Sequence, residues 1–295
     1  MSNPIWSRLN EEIPQKLWHY TSMQGFRGIV ESKTIWATDT RFLSDREESI
    51  HAHKIANELV EETPEFGDKG FPLRDNLRQA VQFAFDDGAL HPDRTQFFVA
   101  SFSAAEDRLS QWRGYSGQTS GVSLAFDLFV PRIEVRVNGF GLLAPCVYDL
   151  KTKKECLSHA LDHYKEKSEQ IWKEGPDACN PVSAEEIRKR LAMVKTGVEL
   201  LQVTALLKNE SFFEEKEWRL IIPVFAGREE PQRQFRCGNT TLIPYIAYPF
   251  SADTLVDVML GPGSDAKAIQ AAEAFLKSQK ISVPPRVSKI PFRPW

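Results

Sequence analysis

The sequence predicts an α+β fold. Short β-rich runs lie in both halves of the chain, helical patterning is concentrated early and midway, and the two do not alternate in the regular way that βαβ units require. "KLWHYTS", from Lys16, reads as a first strand. Ser22 then caps a helix whose apolar residues Met23, Phe26, Ile29 and Val30 recur at helical spacing. "TIWAT" is a second strand, and Ser44 with Glu47 forms a capping box for the helix "DREESIHAHKIANELVEE". A further helix is expected near 73–85, and strands at Gln96–Ser103, Ser120–Asp127 and near Leu142–Tyr148.

From Lys151 to Leu207 the pattern changes to two charge-laced helical stretches, broken at "EGPDACNPVS" where Gly175, Pro176 and Pro181 stop continuation. We read this as a helical insertion (151–207) within one domain spanning 1–295, and as a recognition element or a structural brace. Strands follow at 215–224, 242–247 and 254–260, then a helix over Ala266–Ser278 and a last strand near 283–290. "GPGSDAK" puts a glycine turn before that helix. Its amides suit an anion, although capping by Ser264 or Asp265 explains it as well.

Composition excludes several function classes. A net charge of −3 argues against a protein built around polyanion binding, so nucleic acid is not an indicated partner. The first residues lack a signal peptide's basic and apolar regions, and no apolar run approaches the roughly 18 residues that cross a bilayer, so the expectation is a cytoplasmic protein with no membrane partner. Four scattered cysteines contain no C-x-x-C pair and read as reduced thiols. G-x-S-x-G, Walker A, H-E-x-x-H and the all-glycine Rossmann pattern G-x-G-x-x-G are absent from the sequence.

Four stretches carry groups capable of chemistry. In "EEKEWRLII", Glu214–Ile222, a strand would place Glu215, Glu217 and Arg219 on one face and Trp218, Leu220 and Ile222 on the other. Two carboxylates so placed need solvent, a counter-ion or a cationic ligand, and Arg219 is the nearest counter-ion. The plain alternative is a solvated strand face. Alternation in "FFVASFS" sets Ser101 and Ser103 on one face, as a cleft wall or as ordinary strand-end serines. In "LWHYTS", His19 lies opposite Trp18 and Tyr20, as a ligand-facing or a packed histidine. "RLSQWRGYSG" combines Trp112, Arg113 and Tyr115, suited to a heterocycle bearing phosphate or to an aromatic corner under a loop. Asp39, Asp45 and Glu48 could gather a hard cation, but turns and caps account for them, and no metal is expected.

Taken in order, "LWHYTS", "SFS" with "LSQWRGY", and "EEKEWRLII" resemble a bacterial family labelled as a domain of unknown function, family 2971, with "IWATDTRFLSD" and "VMLGPGSD" also within it. That family in turn resembles a distant branch of the ADP-ribosyltransferase fold. "LWHYTS" is similar to the L-W-H-G-S/T strand of the poly-ADP-ribose polymerase type, and "EKE" to the E-x-E of arginine-directed toxins. The resemblance implies split mixed or antiparallel sheets with flanking helices, and NAD as co-substrate. It also implies an enzyme that cleaves the nicotinamide–ribose bond and passes ADP-ribose to an unknown acceptor or to water. The alternative it leaves is an inactive nucleotide-binding module; in either case the context by analogy is a toxin or phage-defence protein. Carried onto this sequence, Glu217 stabilises the ribose cation and Glu215 orients the acceptor. His19 bonds a ribose hydroxyl, Ser101 and Ser103 line the middle strand, and Tyr115 or Trp112 stacks on nicotinamide. Arg41 or Arg113 meets the pyrophosphate. Tyr20 stands where the polymerase-type strand has glycine.

Overall fold

The computed structural model describes residues 14–43, 46–85, 95–115, 121–127, 142–174, 193, 196–225, 232–238 and 240–291. It is α+β, as expected, with one mixed open sheet and several helices. Ten strands make the sheet: β1 (Lys16–Thr21), β2 (Thr34–Asp39), β3 (Thr95–Ser103), β4 (Val122–Asp127), β5 (Leu142–Pro145), β6 (Glu217–Phe225), β7 (Arg233–Cys237), β8 (Leu242–Pro249), β9 (Leu255–Leu260) and β10 (Pro285–Val287). Helices are α1 (Met23–Ser32), α2 (Arg46–Glu62), α3 (Leu73–Phe85), α4 (Leu109–Tyr115), α5 (Leu150–Glu174), α6 (196–204) and α7 (Ala266–Ser278).

Residue choice accounts for these elements locally. Ser22 caps α1 by accepting from the Gly25 N–H at 3.1 Å, and Phe26, Ile29 and Val30 turn inward. Asp265, rather than Ser264, caps α7 through the Ala268 N–H. Two features depart from the sequence expectation: β7 is an additional strand, and the late strand begins at Glu217, not Glu215. "LSQWRGY", which the sequence pattern assigns to no element, is a short helix. Glu215 instead ends a 3-10 turn, Glu210–Glu215, and Lys216 follows in the left-handed region at φ 42°, so the chain reorients before β6 starts. Ser44, Asp45 and the break "GPDACNPVS" lie outside the described residues.

The sheet is organised around β3. On one edge β3 pairs with β6 along its length, from Thr95↔Phe225 to Ser103↔Glu217. On the other edge it is shared, because β2 pairs at Phe98 and Val99 while β1 pairs at Ser103. Ala100, Ser101 and Phe102 lie where the two partners part. From this fork one wing runs through β1, β4, β9 and β10, and the other through β2, β8 and β7. β9 and β10 are parallel; the remaining pairs are antiparallel.

Alternation then sorts the layers. Leu17, Phe98, Phe102, Trp218 and Leu220 pack with Phe26, Ile29 and Leu276 of α1 and α7 in the main core. The opposite face is covered in parts: Trp18, Tyr20 and Trp112 beneath one wing, and Phe97, Val99 and Ile221 against Leu201 and Ala205 at the centre. A second helical core joins α2, α3 and α5 through Ile55, Val60, Leu77, Leu157 and Tyr164, so the 151–207 helices are packed against the early ones. Phe98 sits fully buried on β3 below the fork. Phe98→Ala should lower unfolding free energy by about 3–5 kcal/mol, read as a lower urea midpoint with an unchanged slope.

Candidate functional site

A cleft of about 1450 Å3 opens at the fork. That is larger than the roughly 300–1,000 Å3 of a typical small-ligand pocket, and roomy enough for an extended ligand. Six of the residues expected from sequence line it: His19, Tyr20, Ser101, Tyr115, Glu215 and Glu217.

His19 is on β1, in ring contact with Phe102, and its Nδ1 donates to the Ser101 carbonyl at 2.9 Å across the gap between the parting strands. A carbonyl can only accept, so Nδ1 carries the proton and Nε2 remains the ring's acceptor. Burial lowers the His19 pKa against the opposing pull of that hydrogen bond, which keeps the imidazole neutral near pH 7.

Glu217 is the first residue of β6 and is 4 % exposed, which rules out a solvated strand face. Its Oε1 accepts from Arg219 Nε at 2.8 Å; its Oε2 is ion-paired with Lys208 Nζ and 3.3 Å from a second Arg219 nitrogen. Lys208 also donates to Glu215 Oε2 at 2.6 Å, and Arg219 to the Ala205 carbonyl at 2.8 Å. The backbone N–H of Glu217 donates to the Tyr148 hydroxyl. Two carboxylates and two cations thus form one network, buried except for the half-buried Glu215. Burial pushes the Glu217 carboxyl upward, but Arg219 and then Lys208 outweigh it and hold it at about 2, against an ordinary 4.5. Burial also opposes the charge on Lys208, and the two glutamates more than restore it.

The remaining expected residues have other work. Ser103 is buried, donating to the Glu215 carbonyl at 2.6 Å and accepting from the Ala105 N–H, so it fixes the turn that carries Glu215 rather than facing the cleft. Trp112 is 2 % exposed, donates to Asp107 and packs edge-on against Tyr20 at 4.9 Å, which leaves no ring face for stacking. Tyr20 meets the cleft but its hydroxyl donates to the backbone carbonyls of Ala105 and Glu106. Arg41 is held by buried Asp39 through Nε at 3.0 Å and a terminal nitrogen at 2.6 Å, outside the cleft, and Arg113 is exposed on α4, also outside it. The combination of an aromatic corner with a phosphate-meeting arginine therefore reduces to Tyr115.

Sequence reasoning missed Lys208, Lys153 and Arg236, and passed over Glu48 as a cleft residue. With Arg219 they give the cleft four cations against the carboxylates of Glu48, Glu215 and Glu217. A second opening, of about 1330 Å3, reaches Glu217 from the α5 side, but its charged lining is Lys154 and Lys216 against Asp149, Glu155, Asp162, Glu210 and Glu217. An anionic ligand is favoured by the first and repelled by the second. Asp39, Asp45 and Glu48 do not assemble: Asp39 is paired to Arg41, Glu48 accepts from the Asn209 N–H, and Asp45 lies outside the described residues. Among the described residues no group of three or more metal-ligating side chains is placed to hold an ion, and no helix is long and apolar enough to cross a membrane.

Residues 111–220 match the model of a family described as Protein of unknown function (DUF2971). This supports the family resemblance over the span from α4 to the start of β6, which holds Tyr115, Lys208, Glu215, Glu217 and Arg219 but neither His19 nor Ser101. No curated protein and no solved structure matches the chain.

The charge network has a pH signature. Because folding depresses the Glu217 pKa, its stabilisation is complete above about pH 4.5 and is lost as the pH falls toward about 2. Urea unfolding between pH 7 and 3 should show that loss. Lys208→Met, which removes the cation shared by Glu215 and Glu217, should cost about 3–5 kcal/mol at pH 7 and move the loss to higher pH.

Proposed function

We propose that the cleft binds NAD and that the protein cleaves its nicotinamide–ribose bond, passing ADP-ribose to an acceptor or to water. The observation that carries this reading is that a neutral histidine and a carboxylate held ionised line one cleft, with cations in excess. On the same reading the fork is the split of an ADP-ribosyltransferase-like fold.

The chemistry needs a negative group beside the ribose. As the C1′–N bond breaks, its electron pair leaves with the pyridinium nitrogen, nicotinamide departs neutral, and positive charge develops on the sugar. Glu217 is in the right charge state for this at any physiological pH, and its pairing to Arg219 fixes its position, so no reorganisation is required when the charge appears. Glu215, more exposed than Glu217, takes the proton that the acceptor loses as its oxygen bonds C1′. His19 Nε2 accepts from a ribose hydroxyl, and Tyr115 supplies an exposed ring at the mouth.

A second reading, a cleft that binds nucleotide without turnover, is favoured by the match of both Glu217 oxygens to cations, which offsets the charge felt by a bound sugar. Turnover separates the two. Purified protein with NAD should release nicotinamide. Glu217→Asp keeps the charge but withdraws it by about a methylene, and should slow release by roughly 100-fold, with His19→Ala also impaired and circular dichroism unchanged for both. Gly28, on α1, lines the cleft with open space where a side chain would begin, so Gly28→Trp should block release while the helix stays formed. Equilibrium NAD binding with no nicotinamide release, with or without lysate as acceptor source, would establish the second reading instead.

A further inference from the structure

We propose that Arg236 is the phosphate anchor of the cleft, taking the pyrophosphate of a dinucleotide ligand on its guanidinium; the assignment rests on the reading that the cleft accepts NAD. Of the four cations on the cleft wall, Lys208 and Arg219 are bound to carboxylates, and Lys153 lies in the field of Glu48, Asp149 and Glu210. Arg236 has no ion pair among the described residues. One terminal nitrogen donates to Thr38 Oγ1 at 3.0 Å, while Nε is buried with no hydrogen-bond partner. An unmatched buried donor is costly, and an arriving acceptor removes that cost. A guanidinium also suits phosphate better than an ammonium does, since its planar donors engage two oxygens together.

The group is held ready before any ligand arrives. Its carbon lies 5.9 Å from the Trp36 ring centre; Trp36 stacks on Tyr245 at 4.3 Å, and the Tyr245 hydroxyl donates to Gln234 on the same strand as Arg236. Arg236, Thr38, Val99, Ser101 and Arg219 all line the cleft from strands in register, β7 through β8 and β2 to β3 and β6. By reaching Thr38, the guanidinium arrives over β2, two strand spacings or about 10 Å across the sheet from β6. Thr38 lies opposite Val99, and Val99 opposite Ile221, four residues or about 13 Å along β6 from Glu217. The backbone span from Glu217 to Thr38 is therefore about 16 Å, longer than one nucleoside with its phosphate, and a ribose beside Glu217 would direct its pyrophosphate along this diagonal toward Arg236.

The test is equilibrium binding of ADP-ribose and of inorganic pyrophosphate to the full chain, alongside nicotinamide release. Arg236→Gln should raise the ADP-ribose Kd at least tenfold and abolish pyrophosphate binding, and Arg236→Lys should raise the Kd about threefold. Failure of the wild type to bind either probe overturns the anchor, and so does an unchanged Kd in folded Arg236→Gln. Arg236-dependent binding without nicotinamide release keeps the anchor and removes the cleavage reading. Nicotinamide release with a KM indifferent to Arg236→Gln does the reverse.

Discussion

β3 has two edges and three partners, and most of what is distinctive in this molecule follows from that. Its pairing with β6 is continuous, so the only place the sheet can open is the other edge, where β2 leaves after Val99 and β1 arrives at Ser103. Backbone groups at an opening are costly to leave unmatched in a buried setting. The carbonyl of Ser101, exposed by the parting strands, is met by a side chain, His19, instead of by a strand. The same bond that closes the backbone account fixes the imidazole tautomer, so a structural requirement of the fork and the chemical state of its histidine have one cause.

The charge network on the far side of β3 is a different kind of constraint. Replacing a buried ion pair with apolar groups is often neutral or stabilising, so three buried charges and a half-buried fourth are weak support for stability. Their geometric effect is clearer. Lys208 joins Glu215 to Glu217 across a 3-10 turn, and Ser103 pins the carbonyl of Glu215 from β3. The turn that brings Glu215 to the cleft is thereby tied to both central strands. Removing any one charge leaves the others in a low-dielectric site without balance, which couples the turn's position to the network's integrity.

Much of the fold was legible because its signals are local. The Ser22 cap, the helical spacing of α1 and α7, and the alternation of β3 and β6 are each contained within a few residues. Errors fell where the deciding partner is distant or the signal is weak. Ser103 and Trp112 are residue types that bind ligands, and only the fold reveals that Glu215 and Asp107 claim them. The sequence pattern puts Glu215 on a strand because no glycine or proline announces the turn; a lysine, Lys216, takes the left-handed conformation. Arg236 went unseen since "RQFRC" is a polar edge strand whose alternation is poor, and Lys208 since a lysine after a helix is unremarkable until Glu217 is found against it. The convergence of Glu215 with Glu217 was foreseen, but through a shared strand face, whereas a shared cation produces it.

The cleft's charges are unevenly distributed, and that unevenness carries directional information. Beside β6 the cations are balanced by glutamates, so that end presents a neutral but strongly polar wall whose carboxylates stay ionised. Over β2 the guanidinium of Arg236 is unbalanced and lies over the Trp36 ring at 5.9 Å. A ligand with one anionic and one cationic end therefore has one favourable orientation, with its anion toward Thr38 and its cation toward Glu217. NAD has that polarity, with the pyridinium at one end of its ribose and the pyrophosphate at the other. In the proposed reading, then, substrate orientation comes from the sheet: on the β6 side of β3 the cations are matched, and over β2 on its other edge the guanidinium is unmatched.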